Sequence, residues 1–100
     1  MYVGVLRVVL HIPHARTLKD GRAVLQRLRD RVRSRFEVAV AEVDVSETAS
    51  RRVLAITTVG DDGKVVRSVL DKVRALMEQD ADALATDVVV DVFTWKPDHL

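Results

Sequence analysis

The chain contains no cysteine and no asparagine, and it has only two prolines, four glycines and four aromatic residues among 100 positions. Without cysteine there can be no disulfide, iron–sulfur cluster, thiolate zinc site or cysteine nucleophile, which fits a reducing compartment; the expected location is the cytoplasm. No apolar run approaches the ~20 residues needed to cross a bilayer, so no membrane partner is expected. The apolar start, MYVGVLRVVLHIP, has no basic leader, carries Arg7 in its middle and ends at Pro13 without a small-residue cleavage site. It reads as a strand rather than a signal peptide. With 48% apolar and 31% charged residues the chain has the balance of a folded protein, and its length suits one core. A single domain over 1–100 is expected, with 96–100 as a frayed tail.

What is abundant is charge, unevenly placed. Residues 1–36 hold nine Lys/Arg against two Asp/Glu, a formal +7, whereas 37–100 hold seven against thirteen, a formal −6. The densest stretch, RLRDRVRSR at 27–35, has an arginine at every second position.

Residues 2–12 alternate, with Leu6, Val8, Leu10 and Ile12 on one face and Val5, Arg7, Val9 and His11 on the other, which predicts a strand ended by Pro13. TLKD at 17–20 spells a capping box with Asp20 in place of Glu, so a helix starts at Leu18 and runs to about Phe36. Its apolar positions Leu18, Leu25, Leu28 and Val32, with Val24 at the margin, make one stripe. Read instead as a strand, 27–35 would bury Asp30 and Ser34 with Leu28 and Val32, so the helix is preferred. The arginines then fall on two flanks of the stripe: Arg22, Arg29 and Arg33 on one, Arg27, Arg31 and Arg35 on the other.

Two β-rich runs follow, 37–45 and 52–59, joined by SETASR. GDDG at 60–63 leads into a second helix capped by Asp61 or Asp62, with Val65, Val66, Val69, Leu70, Val73, Leu76 and Met77 as its buried face. A last strand alternates Val88, Val90 and Val92 with Asp87, Val89, Asp91 and Phe93. The order βαββαβ predicts an α+β, ferredoxin-like sandwich: a four-stranded antiparallel sheet with both helices on one face.

LHIPHARTLKDGR (10–22) resembles the motif L-x-I-P-x-A-x-S-L-K-D-K-R of the YlxP-like family of small bacterial proteins of unestablished role, and RFEVAVAEVD (35–44) resembles its R-F-N-V-S-V-A-E-V-D. The resemblance covers nearly the whole chain. It implies the ferredoxin-like fold, and its genes often lie beside those for translation initiation factor two and ribosome-binding factor A, which implies a place near the ribosome. This chain departs from the pattern in having Gly21 where a lysine is usual, at a cost of about 1 kcal/mol of helix stability, and in lacking the tryptophan often found in the 46–51 segment.

The basic helix suggests a binding surface for RNA or a ribosomal particle. Arg16, Lys19 and Arg22 surround a helix N-terminus, which favours anions, and Arg27, Arg29, Arg31 and Arg33 continue the positive surface. Arg16, Lys19, Arg22, Arg29 and Arg33 are the leading phosphate contacts expected, with Arg27 and Arg31 behind them. The competing reading is that the arginine stems cover apolar edges while their heads sit in water or meet the acidic second half. Strand three has no aromatic and strand one only Tyr2 at its edge, so stacking on the sheet, as in common RNA-recognition modules, is not expected. GDDG shares the spelling of a KH-domain loop, but its carboxylates would repel phosphate and it joins strand to helix, so it reads as turn and cap.

No catalysis, metal, cofactor or small-molecule substrate is expected. His11 and His14 lack a third ligand at a recognised spacing, and His99 lies in the tail. The arginine–asparagine pair on which acylphosphatase chemistry depends cannot be assembled. Glu42 and Asp44 are expected to share one strand face, as edge-strand acids rather than an acid–base pair. The sheet face away from the helices carries Val5, Val9, Ala55, Val59, Val89 and Phe93, with Trp95 at its end. That apolar patch suggests a homodimer with Val5, Val9, Val89, Phe93 and Trp95 at the interface, and makes a protein-interaction module the rival reading.

Overall fold

A computed structural model describes residues 1–98 and gives the order β1 (Tyr2–His11), α1 (Leu18–Arg35), β2 (Ala39–Val43), β3 (Arg51–Gly60), α2 (Gly63–Glu78) and β4 (Leu84–Thr94). The strands form one antiparallel sheet in the order β2-β3-β1-β4. This is the ferredoxin-like α+β arrangement. β1 lies inside the sheet, paired along its full length with β3, from Tyr2 opposite Gly60 to His11 opposite Arg51, and on its other side with β4 across a register shift at Val9/Leu10.

The alternation of β1 decides which face is dry. Leu6, Val8, Leu10 and Ile12 join Val40, Leu54 and Ile56 from the neighbouring strands, Leu25, Leu28 and Val32 from α1, and Leu70, Val73, Leu76 and Met77 from α2 in one buried cluster. Both helices therefore cover the same side. Each large side chain buried there contributes about 2 kcal/mol of hydrophobic stabilisation. Gly4 lets α2 come close to β1, because a Cβ at that position would run into the Val66 and Leu70 side chains.

The ends of α1 are set locally. The Thr17 hydroxyl accepts from the Asp20 backbone N–H at 3.2 Å, while the Asp20 carboxylate accepts from the N–H groups of Thr17 and Arg16, both at 3.0 Å. These backbone donors hold the Asp20 carboxyl below its ordinary pKa. At the far end Phe36 turns extended while its N–H still closes on the Val32 carbonyl. Asp62 caps α2, accepting from the Lys64 N–H at 2.9 Å, so the turn-and-cap reading of GDDG holds.

Three details differ from the sequence reading. β2 covers 39–43 rather than 37–45: at its start the Val38 N–H is turned back to the Phe36 carbonyl, and at its end Asp44 leaves the extended region with a φ of 48°. Leu18 is 43% exposed at the first turn of α1, where the inward position belongs to Gly21 over the Arg52 guanidinium, which bonds the Leu18 carbonyl. Val65 is 58% exposed: the buried stripe of α2 runs through Val66, Leu70, Val73 and Met77, one residue further round the helix. His99, placed in the expected tail, lies outside the described residues.

Candidate functional site

The two flanks of α1 differ in what stands opposite them. On the side of the α2–β4 connection, Arg27 grips Asp80 with two nitrogens, Nη1 to Oδ1 at 2.5 Å and Nη2 to Oδ2 at 3.1 Å, and reaches Asp82 at 3.2 Å. The Asp80 side chain is only 2% exposed and also accepts from the backbone N–H groups of Asp82 and Ala83. Arg27 holds the Asp80 carboxyl below its ordinary pKa, against the upward pull of burial. Arg31 stands 3.9 Å from the same carboxylate. This flank is an internal staple as much as a surface.

The other flank borders β2. At 100° per residue Arg29, Arg22 and Arg33 fall within about 40° of one another, a straight row along the helix. Among the described residues none of the three has a carboxylate within salt-bridge distance. Arg33 donates to the Val40 carbonyl at 3.0 Å, satisfying an acceptor on the outer side of an edge strand. Arg29 is half-buried, and its Nε is enclosed without a partner.

Beneath this row lies an ion pair that local sequence reasoning missed. Arg52, 5% exposed, donates to both oxygens of Glu42 at 2.6 and 2.9 Å and to the Leu18 carbonyl at 3.0 Å. The Arg52 hydrogen bonds keep the Glu42 carboxyl below its ordinary pKa, with the charges of Arg29 and Arg22 pulling the same way. Gly21 is the clearance for this pair, since a Cβ there would collide with the Arg52 guanidinium and press on the Ala49 carbonyl. A signal was present: alternation through Leu54 and Ile56 assigns Arg52 to the inward face, as it assigns Glu42 beside Val40. Two inward charges of opposite sign on neighbouring strands imply a buried pair.

That geometry corrects the expectation for Glu42 and Asp44. They do not share a face: Glu42 points toward the helices, while the turn at Asp44 brings its carboxylate to Arg7 at 2.9 Å. At the start of α1, Arg16, Lys19 and Arg22 are exposed. His14, Lys19 and Asp82 border a recess of about 440 Å³ there, and Phe36, Val38, Val59 and Val69 line a more open groove of about 740 Å³ at the other end of the helix. Neither lining brings a hydroxyl beside a histidine. Among the described residues no three His, Asp or Glu side chains are grouped to hold a metal ion.

On the sheet face away from the helices Val59, Val89, Phe93 and Trp95 are exposed and Val5 is half-buried. Val9 is 7% exposed, closed in within the single chain together with its neighbour Val53. The Trp95 N–H donates to the Met1 carbonyl at 2.9 Å, so Trp95 extends the β1–β4 pairing past the end of the strand. Among the described residues no helix is long and apolar enough to cross a membrane.

No curated protein matches the chain. Among solved structures it is similar to the de novo designed protein Foldit4, with a TM-score of 0.52 and 16% identity over 96% of this chain and 100% of that one. A likeness at that identity speaks for the fold alone. The sequence itself is more specific: over residues 3–90 it matches a described family, and by that match the chain belongs to the proteins of unknown function grouped as DUF503.

Proposed function

We propose that this is a non-enzymatic, cytoplasmic binding protein that holds RNA or a ribosomal particle by its phosphate backbone, using the β2-side flank of α1. The observation that carries the reading is the row Arg22, Arg29 and Arg33, which lacks carboxylate partners among the described residues, continued by exposed Arg16 and Lys19 at the helix start. Guanidinium groups with no carboxylate bonded to them suit phosphate. Arg27 and Arg31 contribute less, because Asp80 already draws their charge. The YlxP-like motifs, with the gene neighbourhood they imply, favour a partner at the ribosome.

The test is co-sedimentation with ribosomal particles at about 50 and 200 mM salt. Three phosphate contacts predict a loss of affinity of roughly 40-fold over that range, and Arg22→Glu with Arg33→Glu abolishes co-sedimentation at the higher salt. Binding indifferent to salt and to both reversals overturns the reading.

A second reading rests on a different observation. β4 is an edge strand of 11 residues, with exposed Val89 and Phe93 along it and Trp95 just beyond, and no Lys or Pro within it. Such an edge is a template for a partner. In this reading the protein is a homodimeric interaction module, and Phe93→Asp shifts its mass in light scattering from two chains to one. A wild-type chain that stays monomeric at high concentration removes it.

A further inference from the structure

We propose that the nucleic acid held by α1 is base-paired: the surface takes the backbone of an RNA duplex rather than a single strand. This inference rests on the reading above and names the form of its ligand.

The argument is where the rings are. Proteins that hold single strands without reading their sequence set aromatic side chains beside a positive groove, so that bases stack while phosphates are neutralised. This chain has four rings. Tyr2 packs against Gly63 at the start of α2. Phe36 is half-buried against the core. Phe93 lies on the opposite side of the sheet from the helices, and Trp95 follows at the end of the same strand, on a stretch that carries Asp87 and Asp91. The arginine row and the exposed rings therefore belong to opposite layers of the molecule. A single strand with its phosphates on Arg22, Arg29 and Arg33 finds no ring for its bases. One stacked on Phe93 and Trp95 lays its phosphates beside carboxylates.

A duplex has neither difficulty, because its bases stack on one another and it offers only phosphate and sugar. The row suits that target. Arg22 and Arg29 are separated by about 10.5 Å along the helix axis and Arg29 and Arg33 by about 6 Å, so the three can meet phosphates of one backbone, with one phosphate skipped between Arg22 and Arg29. Their setting is electropositive: Arg52 bonds the one nearby carboxylate, Glu42, and Arg22 and Arg29 act on the same group. Nothing in the row reads a base, so recognition is by shape and charge.

The test is an anisotropy titration of the full chain against three labelled probes: a 16-base-pair RNA duplex, an unstructured 16-nucleotide oligouridine and a DNA duplex of equal length. The expected result is at least tenfold tighter binding of the RNA duplex than of oligouridine. Arg22→Glu and Arg29→Glu should each weaken it, and Phe93→Ser with Trp95→Ser should leave it unchanged. Arg22 is at the surface, so that variant carries the test should Arg29→Glu fail to fold. Oligouridine bound as tightly as the duplex, or binding lost with Phe93 and Trp95, overturns this inference and leaves the RNA-binding reading standing. DNA duplex bound as tightly as RNA duplex supports base pairing as the requirement and counts against RNA as the natural partner. Failure of all three probes overturns both.

Discussion

Arg27 and Arg31 on one flank of α1 share Asp80, a carboxylate whose side chain is 2% exposed, whereas Arg22, Arg29 and Arg33 on the other flank have no carboxylate within salt-bridge distance among the described residues. Residue type is the same on both sides. The difference lies in what the tertiary structure sets opposite, so a count of arginines along a helix is not a measure of its free charge. One flank holds the fold together; the other is the surface for which we propose a ligand.

The sharpest way to break the contrast is Asp80→Ala. It leaves the Arg27 guanidinium with the exposed Asp82 alone and removes the acceptor for the Asp82 and Ala83 N–H groups. A fully buried pair loses about 3–5 kcal/mol when one partner goes, and the 39% exposure of the Arg27 side chain reduces this to about 2–3 kcal/mol. The expected fall in Tm by circular dichroism is roughly 10–20 °C.

Acid should erode the stabilised flank and the Arg52–Glu42 pair together. Asp80 and Glu42 both titrate lower in the folded chain than in the unfolded one, where carboxyls titrate near ~4. Their contribution is therefore complete above that range and disappears as pH falls through the folded-state values. Urea midpoints should be flat from about pH 7 to 5 and drop below about pH 4, with a shallower drop in Asp80→Asn.

Gly21→Ala probes the ion pair under the free row. In an open helix the exchange gains up to about 1 kcal/mol. Here the new methyl group displaces Arg52 from Leu18, so a net loss of about 1–2 kcal/mol is expected in chemical denaturation. Smallest of all is Arg22→Ala, which should alter stability by less than about 0.5 kcal/mol while lowering nucleic-acid affinity about threefold at 0.2 M salt. An equal stability loss in Arg22→Ala and Arg27→Ala would erase the distinction between the flanks.

The architecture was legible because its signals are local. Alternation in β1, the Thr17–Asp20 box and the Asp62 cap fix elements from within a few residues, and the order of elements then limits the sheet. The arginine flanks were legible too, from helical geometry. Their fates were not, because Arg27 and Asp80 are 53 residues apart and no period links them. Gly21 is the instructive case. As a helix residue it is a defect, and only with Arg52 placed beneath it does it become a fitted gap.

The position of β1 has a consequence for how the molecule is made. It precedes the other five elements in the chain, yet it lies between β3 and β4, and its N-terminal end pairs with Thr94 and Trp95. On an elongating ribosome one side of that valine-rich segment stays bare until β4, the last of the six elements, has emerged. Contacts of such long sequence separation slow folding and leave the nascent chain open to wrong pairings. A stalled or prematurely ended product would thus present its stickiest segment unpaired, a ready target for chaperones and proteases.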